Sequence, residues 1–255
     1  MEKIVTVRDI KIGEEIPKIC VPIVGKTKEE LIEEVAALKG ISLDIVEWRV
    51  DFYEKVEDIQ AVKEVLGDLR KLLENTPILF TFRSLKEGGE KEVSTNYYAE
   101  LNKEIAATKL VDLVDVELFT GDEVVKDIVD SAHASGIKVV MSNHDFFKTP
   151  SQEEIVSRLR KMQDLGADLP KIAVMPQNKK DVLVLLSATN EMVENYANRP
   201  IITMSMAGTG VISRLAGEVF GSALTFGAAK KASAPGQIAV KDLRTVLDIL
   251  HNSIK

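Results

Sequence analysis

Short apolar stretches alternate along the chain with longer charged segments of helical period. Residues 5–8 and 11–12 have the alternation of a short hairpin, and residues 19–23 read as a first strand. Thr27, with Glu30 three residues on, has the spacing of a capping box and opens a helix over 28–39. Further strands are expected at 45–49, 78–82, 113–116, 138–142, 171–175, 201–205 and 222–225. Helices are expected between them: within 56–74, over 94–108, over 122–135 with Gly136 as its stop, and from a second capping box at Ser151 and Glu154 to Gly166. Others should include 190–196, 211–216 and 240–250. Eight βα units in one chain, with no linker between them, predict an α/β protein of a single domain over residues 1–255. The expected fold is a (β/α)8 TIM barrel with a short N-terminal β-hairpin. No Gly-x-Gly-x-x-Gly follows the first strand, so a dinucleotide-binding sheet has little support.

The length of 255 residues suits one such barrel, and with 45% hydrophobic residues the chain can build its core without a disulfide or a metal. A net charge of −7 and the lack of any long basic tract argue against a nucleic-acid partner, while leaving room for a local basic pocket that takes a small anion. Cys20 is the only cysteine, so no intrachain disulfide is expected; it sits between Ile19 and Val21 and reads as a buried structural thiol. The N-terminal residues carry charges throughout and have no signal-peptide core, and apolar runs such as 182–186 are too short to span a membrane. A soluble, cytoplasmic protein with no membrane partner is the expectation.

Chemistry enters through polar residues at strand ends, where a barrel would place charges facing inward. Glu47 and Arg49 are two apart on one strand and share a face. The third strand runs into Arg83, with Glu87 in the loop beyond. The fifth ends in Ser142–Asn143–His144, and Arg214 follows a glycine-rich turn at 208–210. Lys230, Lys231, Ser233 and Gln237 follow the eighth strand. A barrel brings all of these to its C-terminal face, where barrel enzymes keep their active sites. Lys171 stands apart because it lies in an apolar strand. Facing inward with Ala173 and Met175, it would be a desolvated amine, suited to attack a ketone or aldehyde; facing outward after Pro170, it would be an ordinary strand start. His144 reads either as a packed residue or as an acid/base group, oriented by Glu87. Asp115 and Glu117 form either ion pairs beside the lysine or a structural network. Arg49, Arg83 and Arg214 suit an anionic substrate or surface ion pairs. His133 reads as helical and His251 lies near the terminus, and no metal-ligand spacing is present.

The ordered motifs resemble those of type I 3-dehydroquinate dehydratases over essentially the whole chain. They are Glu47–Trp48–Arg49, Thr81–Phe82–Arg83 with Glu87–Gly88–Gly89, Ser142–Asn143–His144–Asp145–Phe146, Lys171–Ile172–Ala173–Val174–Met175–Pro176 and Thr203–Met204–Ser205–Met206. They continue in Ser213–Arg214, Gly221–Ser222–Ala223–Leu224–Thr225–Phe226 and Ser233–Ala234–Pro235–Gly236–Gln237. The resemblance implies that Lys171 forms an imine with 3-dehydroquinate, that His144 is the acid/base and that Glu87 positions it. It implies that Arg214, with Ser233 and Gln237 of a closing loop, holds the substrate carboxylate, and that Glu47, Arg49 and Arg83 hold the ring hydroxyls. It further implies a lyase of the shikimate pathway, in aromatic amino acid biosynthesis, with no cofactor or metal, assembled as a homodimer. One departure is Pro22, where family members often have a small polar residue. The rival readings are another imine-forming lyase or aldolase acting on a phosphorylated substrate, and a non-catalytic binding barrel.

Overall fold

The computed structural model describes residues 3–229 and 236–254. Eleven strands occur among them. The hairpin strands β1 (Val5–Val7) and β2 (Ile10–Ile12) pair antiparallel. Next come β3 (Lys18–Ile23), β4 (Ile45–Arg49), β5 (Ile78–Thr81), β6 (Leu113–Glu117) and β7 (Lys138–Asp145). They are followed by β8 (Leu169–Val174), β9 (Ile202–Ser205), β10 (Leu224–Ala228) and the short β11 (Ile238–Ala239). Strands β3 to β9 pair in parallel in chain order, and β10 pairs with β3. A bridge between Ile201 and Ser222 brings β9 to β10 and closes the ring. The expected barrel and hairpin are both present.

Strand alternation divides the apolar side chains into two layers. Ile19, Val21, Val46, Trp48, Phe80, Val114, Met141, Ile172 and Val174 point outward and pack under the helices. Cys20, Ile45, Leu79, Leu113, Val140, Leu169, Ile202 and Leu224 point inward and fill the lower barrel, where Val5, Val7 and Ile12 of the hairpin plug the floor. The outer layer is held by α1 (Lys28–Ala37), α2 (Ile59–Leu73), α3 (Thr95–Thr108), α4 (Asp122–Ala134), α5 (Gln152–Asp164) and α6 (Lys179–Asn195). The short α7 (Val211–Leu215) and α8 (Gly217–Phe220) and the final α9 (Val240–Ile254) complete it.

Both expected capping boxes form only in half. Thr27 and Ser151 accept the N–H of Glu30 and Glu154, but the Glu30 carboxylate turns to the N–H of Lys26, and that of Glu154 pairs with Arg158. Three elements depart further from expectation. Helix α6 starts eleven residues before the expected 190–196, because Asn178 caps it at Lys180 and Asp181 and its apolar residues 182–186 hide the usual one-sided stripe. Strand β7 continues past Ser142 to Asp145, pairing His144 with Ala173 of β8. Strand β10 is shifted to Leu224–Ala228, with Gly227 inside it: a Cβ there would press within 3.1 Å of Val240 and 3.2 Å of Leu243 as α9 packs down.

A repeated device ties the strands at the N-terminal end of the barrel. Asp44, Asp112 and Asp168 stand just before β4, β6 and β8. Each gives its backbone N–H to the carbonyl of Ile19, Ile78 or Val139 at distances of 2.9, 3.0 and 2.9 Å. Each carboxylate in turn accepts the N–H of that same residue, at 2.7, 2.9 and 2.8 Å. Basic side chains complete each clamp: Arg244 on Asp44, Arg8 and Arg70 on Asp112, and Lys138 with His133 on Asp168. Ser222 plays the same part before β10, its hydroxyl accepting the Thr203 N–H at 2.9 Å.

Candidate active site

A cavity of about 180 Å³ opens at the C-terminal end of the strands, above the apolar barrel filling. Glu47 and Arg49 enter it from β4, Arg83 and Glu87 from the turn after β5, His144 from β7, Lys171 from β8 and Arg214 from α7. Gln237 reaches it from the segment before β11. Of the residues expected at the site, only Ser233 lies outside the described residues, together with Lys230 and Lys231.

Lys171 points inward and is 3% exposed, so the reading as a surface strand start is wrong: β8 begins two residues earlier, at Leu169. Its Nζ lies 3.6 Å from Asp115 Oδ2 and 4.6 Å from the centre of the Phe226 ring. His144 Nδ1 is 2.9 Å from Glu87 Oε2, which also accepts the His144 backbone N–H at 2.9 Å. Glu87 Oε1 takes Asn143 Nδ2 at 3.2 Å, and Asn143 is itself fixed by Arg158 at 2.7 Å. With Nδ1 engaged, Nε2 is the ring nitrogen left to act in the cavity.

Burial sets the charges of this pair. It pushes the Glu87 carboxyl up to about 8, with help from Glu117 and against the pull of Arg83. It pushes His144 well below the ordinary imidazole value, and the nearby Arg83, Lys171 and Arg49 act in the same direction. The imidazole is therefore neutral, as a base must be.

Behind the cavity lies a charged lattice. Arg83 Nη1 donates to Glu117 at 2.9 Å and to Ser142 at 2.9 Å, while Nη2 meets Asp115 at 2.8 Å. Burial opposes the Arg83 charge, but Asp115, Glu117 and Glu87 outweigh it and hold the guanidinium well above its ordinary value. Asp115 and Glu117 thus serve both readings offered by the sequence, as a structural network that also faces the lysine. Arg49 is gripped through two 2.8 Å bonds by Asp51, which also accepts the backbone N–H groups of Arg83 and Glu90. Glu47 accepts the Thr81 hydroxyl at 2.9 Å. Arg214 is 1% exposed, and its guanidinium lies 3.5 Å from the Met204 sulfur; burial brings it down to about 10, so it stays charged at neutral pH.

Sequence reasoning missed several of these residues. Asp51 could have been found as an acid two positions beyond Arg49, in the turn that follows the strand. Phe146, Met204, Met206 and Phe226 line the cavity with no polar signal to reveal them. Phe146 stacks on His144 with ring centres 6.4 Å apart. Gly88, at φ +83°, gives it room, since a Cβ there would collide with the Phe146 ring. Pro22 pairs in register with Glu47 and does not line the cavity. His133 and His251 bind Asp168 and Glu218 away from it. Among the described residues no group of three or more His, Cys, Asp or Glu is placed to hold a metal ion, and no helix is long and apolar enough to cross a membrane.

Residues 19–254 match the family model of type I 3-dehydroquinase. The chain belongs to the type I 3-dehydroquinase family. Relatives within the family are close. The 3-dehydroquinate dehydratase of Clostridioides difficile (strain 630) is 66% identical over 254 residues, covering 100% of both chains. That of Listeria monocytogenes serovar 1/2a is 64% identical over 251 residues, covering 98% of this chain and 99% of the relative. A 1.95 Å crystal structure of the type I 3-dehydroquinate dehydratase from Clostridium difficile, with covalent modified comenic acid, superposes with a TM-score of 0.97 at 66% identity, covering 99% of this chain and 100% of that one. The lysine, histidine and arginines of this type I 3-dehydroquinase thus stand in one cavity at the C-terminal end of its barrel.

Proposed function

We propose that the chain dehydrates 3-dehydroquinate to 3-dehydroshikimate through an imine on Lys171. The activity of a 3-dehydroquinate dehydratase, a hydro-lyase of the shikimate pathway, follows from family membership. The covalent route rests above all on one observation: an inward lysine, 3% exposed, shares a cavity with a neutral histidine whose Nδ1 is held by the carboxyl group of Glu87. The covalently modified comenic acid of the Clostridium difficile relative supports a covalent chemistry for that protein.

In this reading Lys171 Nζ adds to the C3 ketone, and water leaves to give the protonated imine. The imine draws electrons from the adjacent C2–H bond, and His144 Nε2 takes that proton, leaving an enamine. The enamine expels the C1 hydroxyl, which departs as water with the proton that His144 returns. Water then hydrolyses the imine and frees the lysine. Glu87 keeps the proton on Nδ1, so that Nε2 accepts first and donates later. Arg214 and Gln237, with Ser233, take the carboxylate; Glu47, Arg49 and Arg83 take the ring hydroxyls. Arg83 has its terminal nitrogens committed to Glu117, Ser142 and Asp115, so it contributes chiefly charge. A homodimer working in the cytoplasm completes the reading, and sedimentation of the full chain reports the oligomer.

Borohydride treatment in the presence of 3-dehydroquinate tests the mechanism. A reduced adduct on the peptide containing Lys171 is expected in the native chain, and none on that peptide in Lys171→Ala. An active preparation that gains no adduct would rule out the imine.

A further inference from the structure

Asp115 has no part in the steps just given, yet it is the carboxylate that faces the nucleophile. It is 0% exposed. Its Oδ1 is pinned by the Ser142 hydroxyl at 2.7 Å and by Arg83 Nη2 at 2.8 Å. Its Oδ2 is buried with no hydrogen-bond partner, and Lys171 Nζ stands 3.6 Å away. A buried acceptor without a donor is costly, and here it is aimed at the atom that changes its bonding during the reaction. The other carboxylates at this end of the barrel have donors of their own. Glu117 holds Arg83 and Ser84, Glu87 holds His144 and Asn143, Asp51 holds Arg49, and Glu47 holds Thr81.

We propose that Asp115 is a further catalytic residue: its Oδ2 takes the single N–H that remains on Lys171 Nζ once the imine has formed, keeping the iminium charged and fixing the plane of its C=N bond. The proposal rests on the imine reading. The atoms balance without any added reagent. A lysine ammonium carries three N–H bonds; condensation with the ketone replaces two of them by the C=N bond, and those two protons leave with the carbonyl oxygen as water. One N–H and one positive charge remain. That charge makes the imine an electron sink, and an anion fixed beside it stabilises the charge as it persists through proton abstraction. Asp115 is held below the usual carboxylate range: burial alone would raise it, but Arg83 and Lys171 outweigh burial, and the Ser142 hydrogen bond adds to them. The charged and titratable groups facing Asp115 and Lys171 are Arg83, Glu117, Tyr98, Glu47, Cys20 and His144.

Asp115→Asn keeps the shape and removes the charge. The borohydride adduct on Lys171 should still form with 3-dehydroquinate, while kcat falls by about 10²–10³-fold and KM changes far less. The ratio of variant to native kcat should rise as pH is lowered, because solvent must supply the proton that Asp115 no longer retains; a merely structural defect would leave the ratio flat. A kcat near the native value at every pH would overturn the proposal while leaving the imine intact, whereas the absence of adduct in the native chain would remove the imine itself. Should Asp115→Asn fail to fold, Ser142→Ala releases one anchor of Oδ1 without changing charge. It should lower kcat by about 10-fold with the adduct preserved, and native kcat in that variant would equally overturn the role of Asp115.

Discussion

Glu87→Gln isolates the charge that supports His144. The carboxylate accepts three donors: Asn143 Nδ2 on Oε1, and the backbone N–H and Nδ1 of His144 on Oε2. A glutamine has one acceptor oxygen. Turned to serve His144, it presents its NH2 to the NH2 of Asn143, and Asn143 cannot flip without breaking its 2.7 Å bond to Arg158. Hydrogen bonds to charged groups contribute about 1.5–3 kcal/mol against about 0.5–1.5 for neutral ones. The imidazolium formed during proton transfer thus loses the difference, roughly 1–1.5 kcal/mol of support, a fall in kcat of roughly 5- to 13-fold. The pH dependence is equally specific. Because Glu87 is raised to about 8, the base-competent pair forms as pH rises through that value, and native kcat/KM should decline as pH falls below it. The glutamine cannot titrate, so its profile should lose that limb. Continuous absorbance of the conjugated enone product, followed across pH, reads both effects. Native-like kcat with the limb still near pH 8 would refute the assignment of Glu87.

The other residues separate by the step they touch. His144→Ala should still yield the borohydride adduct on Lys171 but lose about 10²–10⁴-fold in turnover, and fast steady-state turnover would reject its role. Arg214→Ala should raise KM by roughly 10- to 100-fold with a smaller change in kcat, as measured by initial rates; unchanged affinity would dismiss the carboxylate clamp. Far from the cavity, Asp112→Ala removes the partner of Arg8, Arg70 and the Ile78 N–H, and should cost about 2–4 kcal/mol in urea unfolding. Its kcat/KM at 25 °C should be native, and a loss of activity in the folded variant would show that the two ends of the barrel are coupled.

The barrel was legible because strand and helix periods repeat eight times along the chain, and the site because charges at strand ends are out of place in a core. Periodicity alone left Lys171 undecided, since an apolar strand begun by a lysine reads the same facing in or out; its register beside Ser142 of β7 settles the face. Helix α6 was half hidden because Thr189, a polar residue in its apolar side, is buried and spends its hydroxyl on Leu185 and Thr203. Asp51 was passed over for a different reason. It reaches the cavity through Arg49 and the backbone of Arg83, and a residue that acts through others leaves only the weak signal of an acid near a strand end. The apolar walls, Phe146 and Phe226 above all, share their residue types with the core and could be told from it only in three dimensions.

The aspartate clamps beneath the barrel recur on every second strand, so they mark out a subunit of construction larger than the βα unit. Each clamp, Ser222 included, joins an odd strand to the even strand after it: β3 to β4, β5 to β6, β7 to β8 and β9 to β10. The barrel is in that sense four staves of two strands, bolted at the foot. A cut in the turn at Gly136, between β6 and β7, would keep both strands of every bolt in one half, parting only Arg244 from Asp44 and His133 from Asp168, while dividing Glu47, Arg49, Arg83, Glu87 and Asp115 from His144, Lys171 and Arg214. Neither half would own a complete site, although each would keep its staves joined, so the seam through the chemistry falls between units and the seam through the scaffold does not.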